Sequence, residues 1–479
     1  MAGRGDSAAG AAVSARAIFV GGTSSNAGKS WMATAICAWL RARGVAVAPF
    51  KAQNMSNNSF PCAAGGEIGR AQVAQAEACG LEPEPAMNPI LLKPNGNGSS
   101  QVIVNGHVWT TVRPREYYEH TDALREHVRA AYAGLARRFE MIVIEGAGSV
   151  TELNLREVDL ANLGLATELG APWILVADIE RGGVFASIVG TMALLSPRER
   201  ALFRGFAINR FRGDMSLFDE GVRILEQRTG SPCVGVFPFA PDIALDAEDT
   251  LAVDTRPRRA APSGARIAIV RLPCISNTTD FRLLDWAEWI ATPPPGDFDF
   301  VILPGSKSTI PDLRWLRGSG LAAWVIEQHR RGATVIGVCG GFQMLGRSIR
   351  DPTRLESLEQ DAEGLGLLPA DTVLEPVKTT EVRTAWSRGG VRFGAYEIHL
   401  GATTLDGPAE PFARLDDGRP DGACAQGVIG TYLHGAFENA GICLETFGVT
   451  VAAASKADHY RRLGEWFAAH VSRPDVFEC

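Results

Sequence analysis

The sequence has no CxxC pair, no apolar stretch long enough to cross a membrane and no excess of positive charge, and each lack removes a class of protein. Its nine cysteines, at positions 37, 62, 79, 233, 274, 339, 424, 443 and 479, are scattered. Without paired spacing they suggest neither a zinc site nor a disulfide framework, so most are expected to be buried thiols. Lys and Arg number 47 against 54 Asp and Glu, a formal charge of −7, which is the wrong sign for a protein that tracks nucleic acid. A transmembrane helix needs about 20 consecutive apolar residues, and none occurs. The first 15 residues, MAGRGDSAAGAAVSA, lack the apolar centre of a signal peptide and read as a disordered lead-in, so a cytoplasmic location is expected.

What the chain does have is length and a repeating pattern. At 479 residues with 46% hydrophobic content, it exceeds one ordinary core, and two or three domains are expected. Short apolar runs alternate with amphipathic stretches: 17–20, 45–50, 141–144, 173–177, 205–208 and 234–236, with a helix expected over about 29–43. Runs of this kind, separated by helical segments, predict a parallel sheet covered on both faces. Between 253 and 265 the composition turns to Pro, Arg and small residues, the best linker in the chain. A second series then starts, with runs at 266–270, 300–303 and 334–338. The expected organisation is α/β twice: a phosphate-binding parallel-sheet domain over 16–253, a linker over 254–264 and a second α/β domain over 265–479.

The loop from Gly22 to Ser30, GTSSNAGKS, lies between the first strand and the first helix. Backbone amides of a Gly-rich loop and the positive end of a helix converge there on phosphate oxygens. Thr23, Ser24, Ser25, Asn26 and Gly28 would supply the cradle, Lys29 would reach the outer phosphates of ATP, and the Ser30 hydroxyl would ligate Mg2+. The spacing is one residue longer than GxxxxGK[ST]; a small-residue turn with a surface lysine is the competing reading. Glu145, at the carboxyl end of the third run, is placed to hold magnesium directly or through water. Asp178, ending the next run, is similarly placed, and either acid could instead cap a helix. Lys51, ending the second run, reads as a second cation facing the phosphates or as a surface lysine.

The strongest single signal is Val335-Ile336-Gly337-Val338-Cys339-Gly340-Gly341. A strand running into a cysteine flanked by glycines and then into a helix reads as a nucleophile elbow, and the helix N-terminus favours the thiolate. His434, in Thr431-Tyr432-Leu433-His434-Gly435, supplies a candidate base. Oxyanion donors would be the amides of Gly340 and of Gly305, which lies in Pro304-Gly305-Ser306 after another strand. His399 reads as a further polar group of the site or as a satisfied strand histidine.

These residues together resemble a known family. The Cys339 turn, the Gly305 loop and the Leu433-His434-Gly435 segment resemble the class I, triad-type glutamine amidotransferases of the cobyric acid synthase branch. The first half resembles the dethiobiotin synthetase-like P-loop group, which shares the longer spacing from Gly22 to Lys29. The stretches Phe50–Ser59, Glu67–Gln72, Met87–Pro94, Ala395–His399 and Gly430–Gly435 extend the likeness over most of the chain. The resemblance implies a ligase that uses ATP, Mg2+ and glutamine to convert the b, d, e and g carboxylates of a corrinoid, adenosylcobyrinic acid a,c-diamide, into amides. It also implies that Asn209 reads adenine. Many class I glutaminases carry a glutamate two positions after the histidine; here that position is Ala436. The group that orients His434 is left open, with Glu438 one candidate.

Two other readings remain at this point. Cobyrinic acid a,c-diamide synthases share both domains but amidate other carboxylates, and the Lys51–Ser59 and Met87–Pro94 stretches speak against them. From another class, the first half alone would suit a P-loop nucleotide-switch ATPase, but a switch has no use for a fused ammonia source. Glutamine and a corrinoid are the expected partners, with no nucleic acid and no membrane, and a homo-oligomer is left open.

Overall fold

The structure is a computed structural model that describes residues 15–95, 98–245, 264–357, 359–451 and 455–477. The lead-in over 1–15 and the linker over 254–264 therefore lie outside the described residues, except at Ala15 and Gly264.

Six of the apolar runs form the first sheet: β1 Arg16–Gly22, β2 Val47–Phe50, β3 Met141–Glu145, β4 Trp173–Asp178, β5 Phe203–Phe211 and β6 Cys233–Pro238. All pairings are parallel, in the order β6-β5-β4-β1-β3-β2. Ile142, Val143, Ile144, Ile174, Leu175 and Val176 are wholly buried, as strands covered on both faces require. The chain first builds to one side of β1 and then to the other. The crevice beyond the carboxyl ends of β1, β3 and β4 is thus the topological switch point where ligands of such sheets bind.

Helix α1, Lys29–Ala42, starts at that crevice and covers one face. Between β2 and β3 lie helix α2, Arg70–Cys79, and a four-stranded sheet of Gln53–Met55, Ile90–Pro94, Ser100–Val104 and His107–Val112. The apolar-run pattern gives no hint of that small sheet, whose outermost strand is mostly exposed.

The second unit continues with β7 Ile267–Val270, β8 Glu288–Ile290, β9 Phe300–Leu303, β10 Thr334–Val338, a long hairpin of β11 Ala370–Ser387 and β12 Arg392–Leu405, then β13 Ala423–Ala425 and β14 Val428–Thr431. Its sheet runs β8-β7-β9-β10-β14-β13, parallel except for the last pair. Helix α3, Gly340–Leu345, follows β10, and helix α4, Lys456–His470, is followed by a single helical turn at Pro474–Phe477.

Helix α4 comes after the second sheet in sequence but packs on the first unit. Its Tyr460, Leu463, Trp466 and Phe467 share a core with Met32, Ile36 and Trp39 of α1. The Trp39 ring lies 5.4 Å from that of Phe467 and 5.8 Å from that of Phe477. An apolar helix stripe must be buried somewhere, but sequence order alone does not say against which neighbour. Among the described residues no helix is long and apolar enough to cross a membrane.

Candidate active site

The loop after β1 folds as a phosphate cradle would. Gly28 caps α1 in the left-handed region, at φ 97°. A Cβ there would fall 1.9 Å from Asn209 Nδ2, so both conformation and space demand glycine. Ser24, Ser25 and Asn26 are exposed at the rim, and Thr23 is half-buried. The Lys29 ammonium is folded back over the loop, donating to the carbonyls of Ser24 at 3.0 Å and Gly148 at 2.8 Å.

Beneath the loop, Glu145 is wholly buried. Its Oε1 accepts from Ser30 Oγ at 2.8 Å and from Lys51 Nζ at 2.8 Å. Its Oε2 accepts from Gln72 Nε2 at 3.4 Å and from Gln75 Nε2. The surface reading of Lys51 thus gives way to a buried ion pair, 3% exposed on the lysine side. The helix-capping reading of Glu145 also gives way, since side chains fill its lone pairs. Asp178 is occupied elsewhere: its oxygens accept from Arg210 Nη1 at 2.9 Å and from the Glu180 amide at 2.8 Å. Asn209, 3% exposed, donates to the Ala27 carbonyl at 3.0 Å and so braces the loop from the end of β5.

The second sheet builds its site by register. Val338 of β10 pairs with Thr431 of β14, so Cys339 and His434 leave adjacent parallel strands at the same edge. Cys339 sits at φ 52° and ψ −110°, a conformation that costs a non-glycine residue about 1–3 kcal/mol and clusters at functional sites. The turn needs glycine next to it, because a Cβ on Gly341 would lie 2.0 Å from the Leu303 carbonyl oxygen. The Cys339 S–H donates to the Ile398 carbonyl at 3.5 Å. Gly340 opens α3, and Gly305 pairs with Ser276 in a short antiparallel ladder. A Cβ on Gly305 would come 3.0 Å from His434 Cε1, so this loop borders the imidazole.

His434 is wholly buried, with Nδ1 2.7 Å from Asp280 Oδ2; the other Asp280 oxygen accepts from the Gly435 amide at 2.8 Å. Burial pulls the imidazole down, but the charges of Asp280 and Cys339 and hydrogen bonds to both outweigh it, pushing His434 up to about 10. Asp280 answers the question of what orients the histidine. Glu438, the candidate from sequence, is engaged elsewhere, accepting from Arg70 Nη2 at 2.7 Å and Arg282 Nε at 2.9 Å. Asp280 lies in a single helical turn, Thr278–Phe281, with no glycine or strand signal around it. The local sequence offered no means of finding it.

This pair has a pH signature. The folded His434 value exceeds the ordinary 6.5, so its contribution to stability is complete below pH 6.5 and is lost as pH rises through about 10. Asp280→Asn removes the attraction. The difference in urea unfolding free energy between the parent and this variant is therefore expected to shrink between those pH values. A constant difference would contradict the ion pair.

His399 also lines the cavity at Cys339. Its Nδ1 lies 2.8 Å from the Gly401 carbonyl oxygen, and its ring stacks on Tyr432 at 3.9 Å.

Helix α2 lies between the two sites. Arg70, at its first position and 1% exposed, donates to Thr279 Oγ1 at 2.8 Å, beside Asp280, while Gln72 and Gln75 reach Glu145. Asn57 and Lys93 of the first unit also help wall the cavity at Cys339.

Chemically, the first site can hold a nucleotide's phosphates, and the second combines a thiol, a base and a carboxylate that orients the base. Comparison with known proteins matches each half of the chain to a domain family. Residues 18–253 match the family described as CobQ/CobB/MinD/ParA nucleotide binding domain, and residues 266–442 match the CobB/CobQ-like glutamine amidotransferase domain. Two proteins named cobyric acid synthase, from Dehalococcoides mccartyi strains CBDB1 and ATCC BAA-2100, are each 45% identical over 447 residues, covering 89% of this chain and 89% of their own. A crystal structure of a glutamine amidotransferase is 17% identical with a TM-score of 0.29, covering 42% of this chain and 98% of its own.

Proposed function

This chain belongs to the cobyric acid synthase family of glutamine amidotransferase ligases, and from that premise we propose that it amidates the b, d, e and g carboxylates of adenosylcobyrinic acid a,c-diamide. Each amide would consume one ATP and one glutamine. The observation that carries the reading is the pairing, in one chain, of a phosphate cradle built on Lys29 with a Cys339–His434–Asp280 set, bridged by α2.

In the glutaminase half, His434 already holds the proton that Cys339 gives up, and the sulfur attacks the glutamine amide carbon. Asp280 holds the imidazole by Nδ1, so that Nε2 faces the sulfur, and it stabilises the imidazolium. The negative oxygen of the tetrahedral intermediate is met by the amides of Gly340 and Gly305. His434 then returns the proton to the leaving ammonia, and water releases glutamate from the sulfur. In the synthetase half, the loop amides of residues 23–28 and the Lys29 ammonium bind the ATP phosphates. Lys29 also offsets charge on the phosphoryl group as it passes to the corrinoid carboxylate. The acyl phosphate formed is attacked by ammonia, with phosphate leaving.

The residues at the loop base fit magnesium. The Ser30 Oγ is a hard oxygen that such an ion would take together with phosphate oxygens, and Glu145, whose oxygens are already filled by Ser30, Lys51, Gln72 and Gln75, would act on it through Ser30. Among the described residues no group of three or more His, Cys, Asp or Glu gathers to hold a metal, so phosphate would supply much of the coordination. When bound, the ion neutralises phosphate charge. Asn209 Nδ2, donating to the Ala27 carbonyl, would brace the loop beside the nucleotide, where the family resemblance has it reading adenine.

Replacing Asp280 by asparagine should lower the rate of glutamate release by about ten-thousandfold, because the carboxylate that orients and holds the charged imidazole is withdrawn. Ammonia-supported synthesis should persist, and an unchanged glutaminase rate would remove Asp280 from the set. The function itself is tested by mass spectrometry of adenosylcobyrinic acid a,c-diamide incubated with ATP and glutamine. Four successive replacements of OH by NH2 are expected. No mass change, or amidation only of a substrate still lacking its a and c amides, would overturn the assignment.

A further inference from the structure

The cavity beside Cys339 is walled by more charge than hydrolysis requires: Lys93, Lys307, Lys378 and Glu356. Two of these lysines are accounted for. Lys93 Nζ donates to Ser59 Oγ at 2.7 Å and to Glu67 Oε2 at 2.8 Å, and Lys378 pairs with the other Glu67 oxygen. Lys307 is different. It is 8% exposed, and among the described residues its ammonium makes no hydrogen bond or ion pair. Burial pulls its proton affinity down, and Glu356 opposes this only through space. Glu356, 9% exposed, accepts from the Thr309 amide at 3.0 Å through one oxygen. Beyond the Thr309 backbone and side chain, Glu356 has no other hydrogen-bond partner and no cation paired to it among the described residues.

A buried charge without a partner is costly and is retained where something else pairs with it. Here a cation and a carboxylate, each with open capacity, wall one cavity with the reactive sulfur. The complementary ligand carries an anion and an ammonium on one carbon, with a short neutral arm that reaches Cys339. The space left between the walls is about 30 Å³, the room of roughly one water. Wall side chains must therefore yield to admit even an amino acid, and long lysine stems can do so. A corrinoid or a nucleotide is far too large.

We propose that Lys307 binds the α-carboxylate, and Glu356 the α-ammonium, of the glutamine whose amide Cys339 attacks. The proposal rests on the reading of Cys339 as a glutaminase nucleophile and adds the specificity residues of that same site. Lys307 follows Gly305 and Ser306 directly, so the loop that borders His434 would also grip the amino-acid end of the substrate.

The test uses the full chain and Lys307→Met, which keeps the stem and removes the charge. The KM for glutamine should rise about 100-fold, the usual scale for losing one partner of a buried charge pair. Ammonia-supported synthesis, which bypasses the site, should be unchanged. γ-Aminobutyramide, which lacks the α-carboxylate, should be hydrolysed equally by the parent and Lys307→Met, so the parent's preference for glutamine over it collapses in the variant. Glu356→Gln should in the same way lose the preference for glutamine over glutaramic acid, which lacks the α-amine. An unchanged KM, an equal loss on glutamine and γ-aminobutyramide, or a concomitant loss of ammonia-supported synthesis would each overturn the assignment. If the parent itself releases no glutamate from glutamine, the glutaminase reading falls and this inference with it. If the parent does so and Lys307→Met matches it, only this inference falls.

Discussion

Replacing Lys29 by alanine is expected to abolish amide synthesis from glutamine and from ammonia alike. The ammonium of Lys29 is aimed across the phosphate loop by the Ser24 and Gly148 carbonyls. Both nitrogen sources need the same activated carboxylate, so losing the charge that offsets phosphoryl transfer removes a step they share. Groups that stabilise transition-state charge in water-excluded sites are worth about 10²–10³-fold each, and a phosphate-binding lysine belongs at the upper end. Glutamate release should survive, since Cys339 and His434 are built on the other sheet. The measurement is amide formation with each nitrogen source beside glutamate release. Unchanged synthesis would remove Lys29 from the phosphate site, and loss of glutamate release as well would point to a folding defect.

The second large effect divides the activities the other way. Cys339→Ala should abolish glutamate release and glutamine-dependent synthesis while leaving ammonia-dependent synthesis intact. Alanine keeps the small volume of the turn, although Cys339 sits at φ 52°, where alanine is no worse placed than cysteine. The Ser306 hydroxyl, in the same cavity wall, does not take over, since it already donates to Asp312 at 2.7 Å. Loss of ammonia-dependent synthesis too would mean that the two sites do not work as separable halves of one reaction.

How legible these sites were in the sequence depends on how their constraints are distributed along the chain. The loop from Gly22 to Ser30 was legible because its physics is contiguous: a strand, a left-handed glycine and a helix N-terminus follow one another. The Cys339 turn was legible for the same reason, its glycines sitting where neighbouring backbone leaves no room for a Cβ. Asp280 was not, because it reaches His434 across 154 positions from a turn with no local signature. The burial of Lys51 was likewise invisible, since a lysine at a strand end looks the same whether it faces solvent or Glu145. The long β11–β12 hairpin escaped notice because much of it is partly exposed and its apolar pattern is weak. The placement of α4 on α1 is a tertiary choice that an amphipathic stripe requires but does not specify.

The contacts of α2 give the two halves a physical connection. One short helix sends Arg70 to the turn carrying Asp280 and sends Gln72 and Gln75 to the acid beneath the phosphate loop. The first unit thereby contributes to both sites, as a shared reaction would require.

The most direct test of that sharing follows the nitrogen atom. The chain is incubated with ATP, the corrinoid and glutamine labelled with heavy nitrogen at its amide, in the presence of excess unlabelled ammonium. The account predicts that the new amides carry the heavy label nearly undiluted, because nitrogen freed at Cys339 is consumed at the phosphate-activated carboxylate before it escapes. Amides whose isotope content follows the bulk ammonium would contradict it.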